Sequence, residues 1–158
     1  MPAIQISYLA DCAEYLPMVA SWVFDEWGHE MDGMTQEGHT AEFRGHLNRD
    51  RIPLTIIALL DGQPAGTASI YDQDMEEIHP ELSPWLAAVY VPPQYRDQGI
   101  GSELVKAIEE IAKKLQIREL YLFTPDKELF YTRLGWSVLE KTGYRGRLQV
   151  VMHKSLGG

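Results

Sequence analysis

Val91-Pro92-Pro93-Gln94-Tyr95-Arg96-Asp97-Gln98-Gly99-Ile100-Gly101-Ser102 joins the apolar run Pro84–Val91 to the clearest helical pattern in the chain, Gly99–Leu115. Pro92-Pro93 bounds the run before it, which reads as a strand. In the stretch after it, Ile100, Leu104, Ile108, Ile111, Ala112 and Leu115 recur with helical period on one face. Glu109 with Lys113 and Glu110 with Lys114 are spaced as i,i+4 pairs for the outer face. The segment is therefore a strand, a glycine-bearing turn and an open helix N-terminus. First-turn N–H groups have no intrahelical acceptor, and the helix dipole adds partial positive charge there. Gly99 and Gly101 lack a Cβ, so a ligand can approach the backbone closely. Arg96 adds a permanent cation and Ser102 a hydroxyl donor. Together these make an anion site suited to a pyrophosphate. The plainer alternative is that the glycines serve only a turn and tight helix–strand packing. Two familiar phosphate motifs fail on spacing: no Gly-Lys pair occurs for a P-loop, and Leu104 stands where a dinucleotide-binding Gly-x-Gly-x-x-Gly needs its last glycine.

Outward from this segment, Ile4–Leu9 reads as a first strand. A helix is expected from an N-cap at Asp11 to about Trp27, interrupted at Pro17 and stopped by Gly28. A second helix is expected over Thr35–Asn48. Leu54–Leu60 and Ala65–Tyr71 flank Asp61-Gly62, a hairpin signal. Asp72–Glu81 is an acid-rich loop. Beyond the long helix come a strand at Glu119–Phe123, a short helix at Lys127–Leu134 stopped by Gly135, and a strand pair at Trp136–Lys141 and Gln149–His153 with Gly143 and Gly146 in the turn. Hairpins beside one strand–helix–strand crossover imply a mixed sheet covered by helices, an α/β (α+β) fold.

The length of 158 residues suits one domain, residues 1–158, with roughly 70% of the unfolded surface buried. An apolar fraction of 45% with 23% charged residues is ordinary globular composition and argues against a disordered chain. Lys and Arg number 14 against 23 Asp and Glu, a net charge of −9, which disfavours a nucleic-acid surface and favours a cationic ligand. Cys12 is the only cysteine, so neither an internal disulfide nor a cysteine metal site is expected. No metal and no membrane partner is expected, since no apolar run approaches the roughly 20 residues of a span. The start of the chain has no basic-then-apolar leader pattern, and a cytoplasmic location is expected.

Arg96-Asp97-Gln98-Gly99-Ile100-Gly101, in its strand–turn–helix setting, resembles the acetyl-CoA signature of the GCN5-related N-acetyltransferase (GNAT) superfamily. Leu129-Phe130-Tyr131-Thr132-Arg133-Leu134-Gly135-Trp136 is similar to the C-terminal Phe-Tyr-x-x-x-Gly-Phe segment of that family, with Trp136 in the usual Phe position. Element order and length agree over nearly the whole chain. The resemblance implies a mostly antiparallel sheet with a central splayed parallel pair. It implies acetyl-CoA as acyl donor, bound through Val89, Val91, Arg96, Asp97, Gln98, Gly99, Ile100, Gly101 and Ser102, with Val89 and Val91 acting through their main chain. Asp97 stands where the family often has glycine or a basic residue, and its carboxylate must point away from a diphosphate.

The implied reaction is direct attack of a neutral amine on the thioester of acetyl-CoA, in a small molecule or peptide. Tyr131 matches the general acid of the family; its other reading is a core aromatic beside Phe130 and Leu134. Candidates for the base are Glu76, Glu77, His79 and Glu81 before the central strand, and Glu26, His29 and Glu30 after the first helix, each of which is also an ordinary surface group. His29-Glu30 is not a metalloprotease motif, because Gly33 stands where His is required. His39, His46 and His153 receive no role. Trp22, Trp27 and Trp85 read as core, with Trp27 or Trp85 as a possible wall for an incoming ammonium. The competing functions are a non-catalytic acyl-CoA-binding regulator and an interaction domain without ligand. The chain is expected to be a monomer or a homodimer, with Trp136–His153 as the pairing surface in the second case.

Overall fold

The computed structural model describes residues 3–30 and 33–157. Seven strands form one sheet: β1 (Ile4–Tyr8), β2 (Leu54–Leu60), β3 (Gln63–Tyr71), β4 (Trp85–Tyr90), β5 (Glu119–Thr124), β6 (Ser137–Tyr144) and β7 (Arg147–Ser155). Their spatial order is β1-β2-β3-β4-β5-β7-β6. Every neighbouring pair is antiparallel except β4 and β5, which run parallel. Among the described residues, no helix is long and apolar enough to cross a membrane.

Alternation within β2 shows how the sheet is covered. Leu54, Ile56 and Ala58 join the core under α3 (Ile100–Lys114), while Ile57 points to the other face and packs with Leu9, Leu16, Val19, Val23 and Phe43. That second layer comes from α1 (Leu16–Trp27) and α2 (Gln36–Arg44). Ile100, Leu104 and Ile108 are essentially fully buried, each contributing roughly 1.5–3 kcal/mol of transfer free energy. Gly66 of β3 lets α3 come this close, because a Cβ there would lie 3.0 Å from Leu104 Cδ1 and 3.1 Å from the Tyr90 carbonyl oxygen.

Several boundaries differ from the sequence expectation. The first helix begins at Leu16, after two short 3₁₀ turns at Leu9–Asp11 and Ala13–Tyr15, because Pro17 fits a first helical turn where its missing N–H costs nothing. Asp11 caps no helix and instead pairs with Arg49. Gly28 stays right-handed and leads into another 3₁₀ turn, Gly28–Glu30. The second helix stops at Arg44 rather than Asn48; the Asn48 side chain donates to the carbonyls of Gly45 and Pro53 and fixes the exit loop. The last hairpin turns at Arg145-Gly146, both with positive φ, so Gly143 lies inside β6. Glu109 does not face solvent beside Lys113. It is 7% exposed and bonds Lys154 and Trp136.

Candidate active site

Gly99 holds φ at +82° as the residue that opens α3, and Asp97 two residues earlier is also left-handed at +65°. This double reversal turns the chain from β4 into the helix axis. The first helical hydrogen bond runs from Glu103 N–H to the Gly99 carbonyl at 3.1 Å. Among the described residues, the N–H groups of Ile100, Gly101 and Ser102 have no backbone acceptor. A Cβ built on Gly99 would meet nothing within 4 Å, so the space before these amides is open.

The side chains of this turn divide by direction. Ile100 is 2% exposed and sits in the core, so only its main chain is available outside. Arg96 folds back: its Nε donates to the Val91 carbonyl at 2.8 Å and its guanidinium lies 5.8 Å from the Tyr90 ring centre. This pins the turn to the end of β4 and occupies one Val91 main-chain group. Asp97 and Gln98 are exposed, and Ser102 is half-buried.

Beside the turn the sheet opens. Strands β4 and β5 share one register pair, Trp85 with Tyr121, supported by a bond from Tyr121 N–H to the Pro84 carbonyl at 3.1 Å. Beyond it, β4 carries a bulge. Ala88 has φ +54°, and Ala88 with Val89 occupy the space opposite Ala68 alone. A cavity of ≈ 140 Å³ lies in this region, with Ala87, Ala88 and Val89 on one side and Leu122 and Phe123 on the other.

Tyr131 enters the same cavity from α4 (Glu128–Arg133), a short helix started by Thr124 Oγ1, which accepts the Lys127 N–H at 3.1 Å. Tyr131 is 7% exposed; burial, with Asp126 adding to it, pushes its hydroxyl well above the ordinary phenol range. It is therefore a protonated donor at neutral pH. The neighbouring Phe130 ring lies 3.4 Å from where a Gly101 Cβ would be, so the turn and α4 touch.

Asp74, Tyr71 and Arg145 line both this cavity and a second one of ≈ 200 Å³. Burial pushes the Asp74 carboxyl up to about 7, with Glu77 acting in the same direction and Arg145 against it. A carboxyl tuned there can take up and release a proton at neutral pH.

These geometries agree with the Acetyltransferase (GNAT) family, which matches residues 16–136. The chain belongs to the GNAT acetyltransferase family. A 35% identical stretch of 80 residues is shared with an amino-acid acetyltransferase of Aeromonas salmonicida (strain A449); it covers 51% of this chain but only 17% of that relative. Aminoglycoside 6′-acetyltransferase type Ii has the same fold, with TM-score 0.73 and 17% identity over 98% of both chains. So does an aminoglycoside 6′-N-acetyltransferase complexed with coenzyme A, with TM-score 0.73 and 15% identity over 98% of both chains.

Within this GNAT fold the expected bases scatter. Glu30 lines the first cavity; Glu76 and Glu77 line the second. Glu77 accepts from the Tyr144 hydroxyl at 2.6 Å, which holds its carboxyl below the usual range. His79 bonds Glu140 and Glu81, which raise its pKa, and lines neither cavity. Glu26 and Glu81 are exposed, and the His29 side chain lies outside the described residues. Asp74 was not singled out by sequence: one more carboxylate in an acid-rich loop carries no spacing signal, and only the neighbouring Met75, 0% exposed, hints that this part of the loop turns inward. Of the tryptophans, Trp27 lines the cavity, whereas Trp85 is fully buried with its Nε1–H on the Leu82 carbonyl at 2.7 Å. Trp22 packs 6.0 Å from the Tyr90 ring.

Proposed function

We propose that this GNAT protein transfers the acetyl group of acetyl-CoA to an amine, by direct attack in a ternary complex. The observation that carries the reading is a chain of contacts: the turn with the open amides touches α4 where Gly101 meets Phe130, and the next residue of α4, Tyr131, lines one cavity in the splayed sheet together with Asp74. The relatives named for amino acids and aminoglycosides are consistent with an amine acceptor.

The amides of Ile100, Gly101 and Ser102 would hold the diphosphate of the donor, as a helix N-terminus holds other anions. Main-chain groups of β4 at Val89, freed by the missing β5 pairing, would align the pantetheine arm and polarise the thioester carbonyl. Asp74 takes the proton of the entering ammonium. The nitrogen lone pair then forms the new C–N bond as the C–S bond breaks, and the nitrogen's second proton passes to water. Tyr131 gives its proton to the departing sulfur and is reprotonated from solvent.

Thiol release from acetyl-CoA, measured against amino acids, polyamines, aminoglycosides and N-terminal peptides, tests this. Release that depends on an added amine is expected. Binding of acetyl-CoA with no release for any amine would overturn acetyl transfer and leave an acyl-CoA-binding domain.

A further inference from the structure

We propose that the second cavity is a subsite for a second protonated amine on the acceptor, so that the protein prefers diamines or polyamines over monoamines. This rests on the reading of the chain as an amine acetyltransferase. The cavity of ≈ 200 Å³ is walled by the carboxylates of Glu42, Asp74, Glu76 and Glu77 against one cation, Arg145. It shares Tyr71, Asp74 and Arg145 with the cavity that Tyr131 lines, so the two are neighbours, and the proposed acceptor would reach from one into the other past these side chains.

A cluster of acids alone would say little; the unpartnered histidine in its wall says more. His39 is 2% exposed, lines this cavity, and has no hydrogen-bond partner at Nδ1 or Nε2. It is wedged between the rings of Phe43 at 5.2 Å and Phe24 at 6.1 Å. Burial lowers its pKa, leaving a neutral ring with one acceptor nitrogen and one N–H. Gln73, also in the wall, has a buried Oε1 without a partner, while its Nε2 is committed to the Pro80 carbonyl. Buried polar atoms of folded proteins are normally paired. Two of the three unpaired groups in this wall are acceptors, and the carboxylates around them outnumber the single cation. An ammonium, with three N–H donors and one positive charge, matches both.

The test is calorimetric titration of the CoA-saturated protein at pH 7.5 with a series of α,ω-diamines, spermidine and the matching monoamines. At least one diamine is expected to bind about tenfold tighter than its monoamine. Glu42→Gln and Glu76→Gln, both on exposed residues, should each reduce that advantage about threefold and leave monoamine binding unchanged. His39→Phe keeps the ring packing and removes two unpaired nitrogens, so its Tm should match or exceed the parent while the diamine advantage falls. A structural histidine would leave the advantage untouched. Equal affinity of diamine and monoamine in the parent, or an unchanged advantage in all three variants, would overturn the subsite. Because binding is read without turnover, a diamine preference in a protein that acetylates no amine would support the subsite and refute acetyl transfer separately.

Discussion

Lys154 and Glu109 form an ion pair at 2.8 Å between β7 and the core-facing side of α3, where the two side chains are 24% and 10% exposed. The same Lys154 Nζ donates to the Leu134 carbonyl at 2.7 Å, and the other Glu109 oxygen accepts from Trp136 Nε1 at 3.1 Å. The helix behind the turn is thus tied to the end of the helix that carries Tyr131.

Removing one partner leaves a desolvated charge alone. Lys154→Met should cost about 3 kcal/mol in urea unfolding, whereas Lys154→Met with Glu109→Leu should cost less than the single change. A double variant as destabilised as Lys154→Met alone, or more so, would contradict this.

Tyr131→Phe keeps the ring and removes the proton donor. Its kcat should fall roughly 100-fold, with KM for acetyl-CoA changing much less. Steady-state kinetics with an unchanged kcat would remove the acid role.

The raised pKa of Asp74 has opposite consequences for activity and stability. As a base it must be ionised, so kcat/KM should rise with pH through about 7, and Asp74→Asn should abolish that limb. Between its unfolded pKa near 4 and about 7, the folded state binds the extra proton, so stability falls as pH rises across that window and is flat above it. Asp74→Asn should therefore be more stable than the parent at pH 8, with that gain gone by about pH 4. Unfolding curves at the two pH values check the sign.

Gly99 and Gly101 should respond differently to alanine. Gly99→Ala places a Cβ at φ +82° and should cost about 1 kcal/mol of stability. Gly101 is inside α3, and its Cβ would sit at an ordinary 3.4 Å from Phe130, so Gly101→Ala should keep or slightly raise Tm. Both should reduce the thermal shift given by coenzyme A. A Gly101→Ala protein with the full shift would show that no ligand approaches that residue closely.

Much of the fold was legible because its signals are local. Asp61-Gly62 marked the β2–β3 turn, and both residues do take positive φ. The apolar period after Gly99 marked α3, whose first residues are buried where the period put them. What spacing could not show depends on distant partners. Glu109 looked like half of an i,i+4 pair because Lys113 is near in sequence, while Lys154 is 45 residues away. The bulge lies in Ala88-Val89, which carries no turn residue, and follows from how β3 and β4 meet. Asp74 became distinct only when folding placed it between two cavities. The turn before α3 could thus be read from the chain, and the pairing of Asp74 with two cavities could not.

The most direct measurement is a crystal structure of the protein with coenzyme A. The expected result is diphosphate oxygens at about 3 Å from the amide nitrogens of Ile100, Gly101 and Ser102, with the pantetheine arm running along β4 toward Tyr131. Coenzyme A bound elsewhere, with those three amides facing solvent, would contradict the central claim.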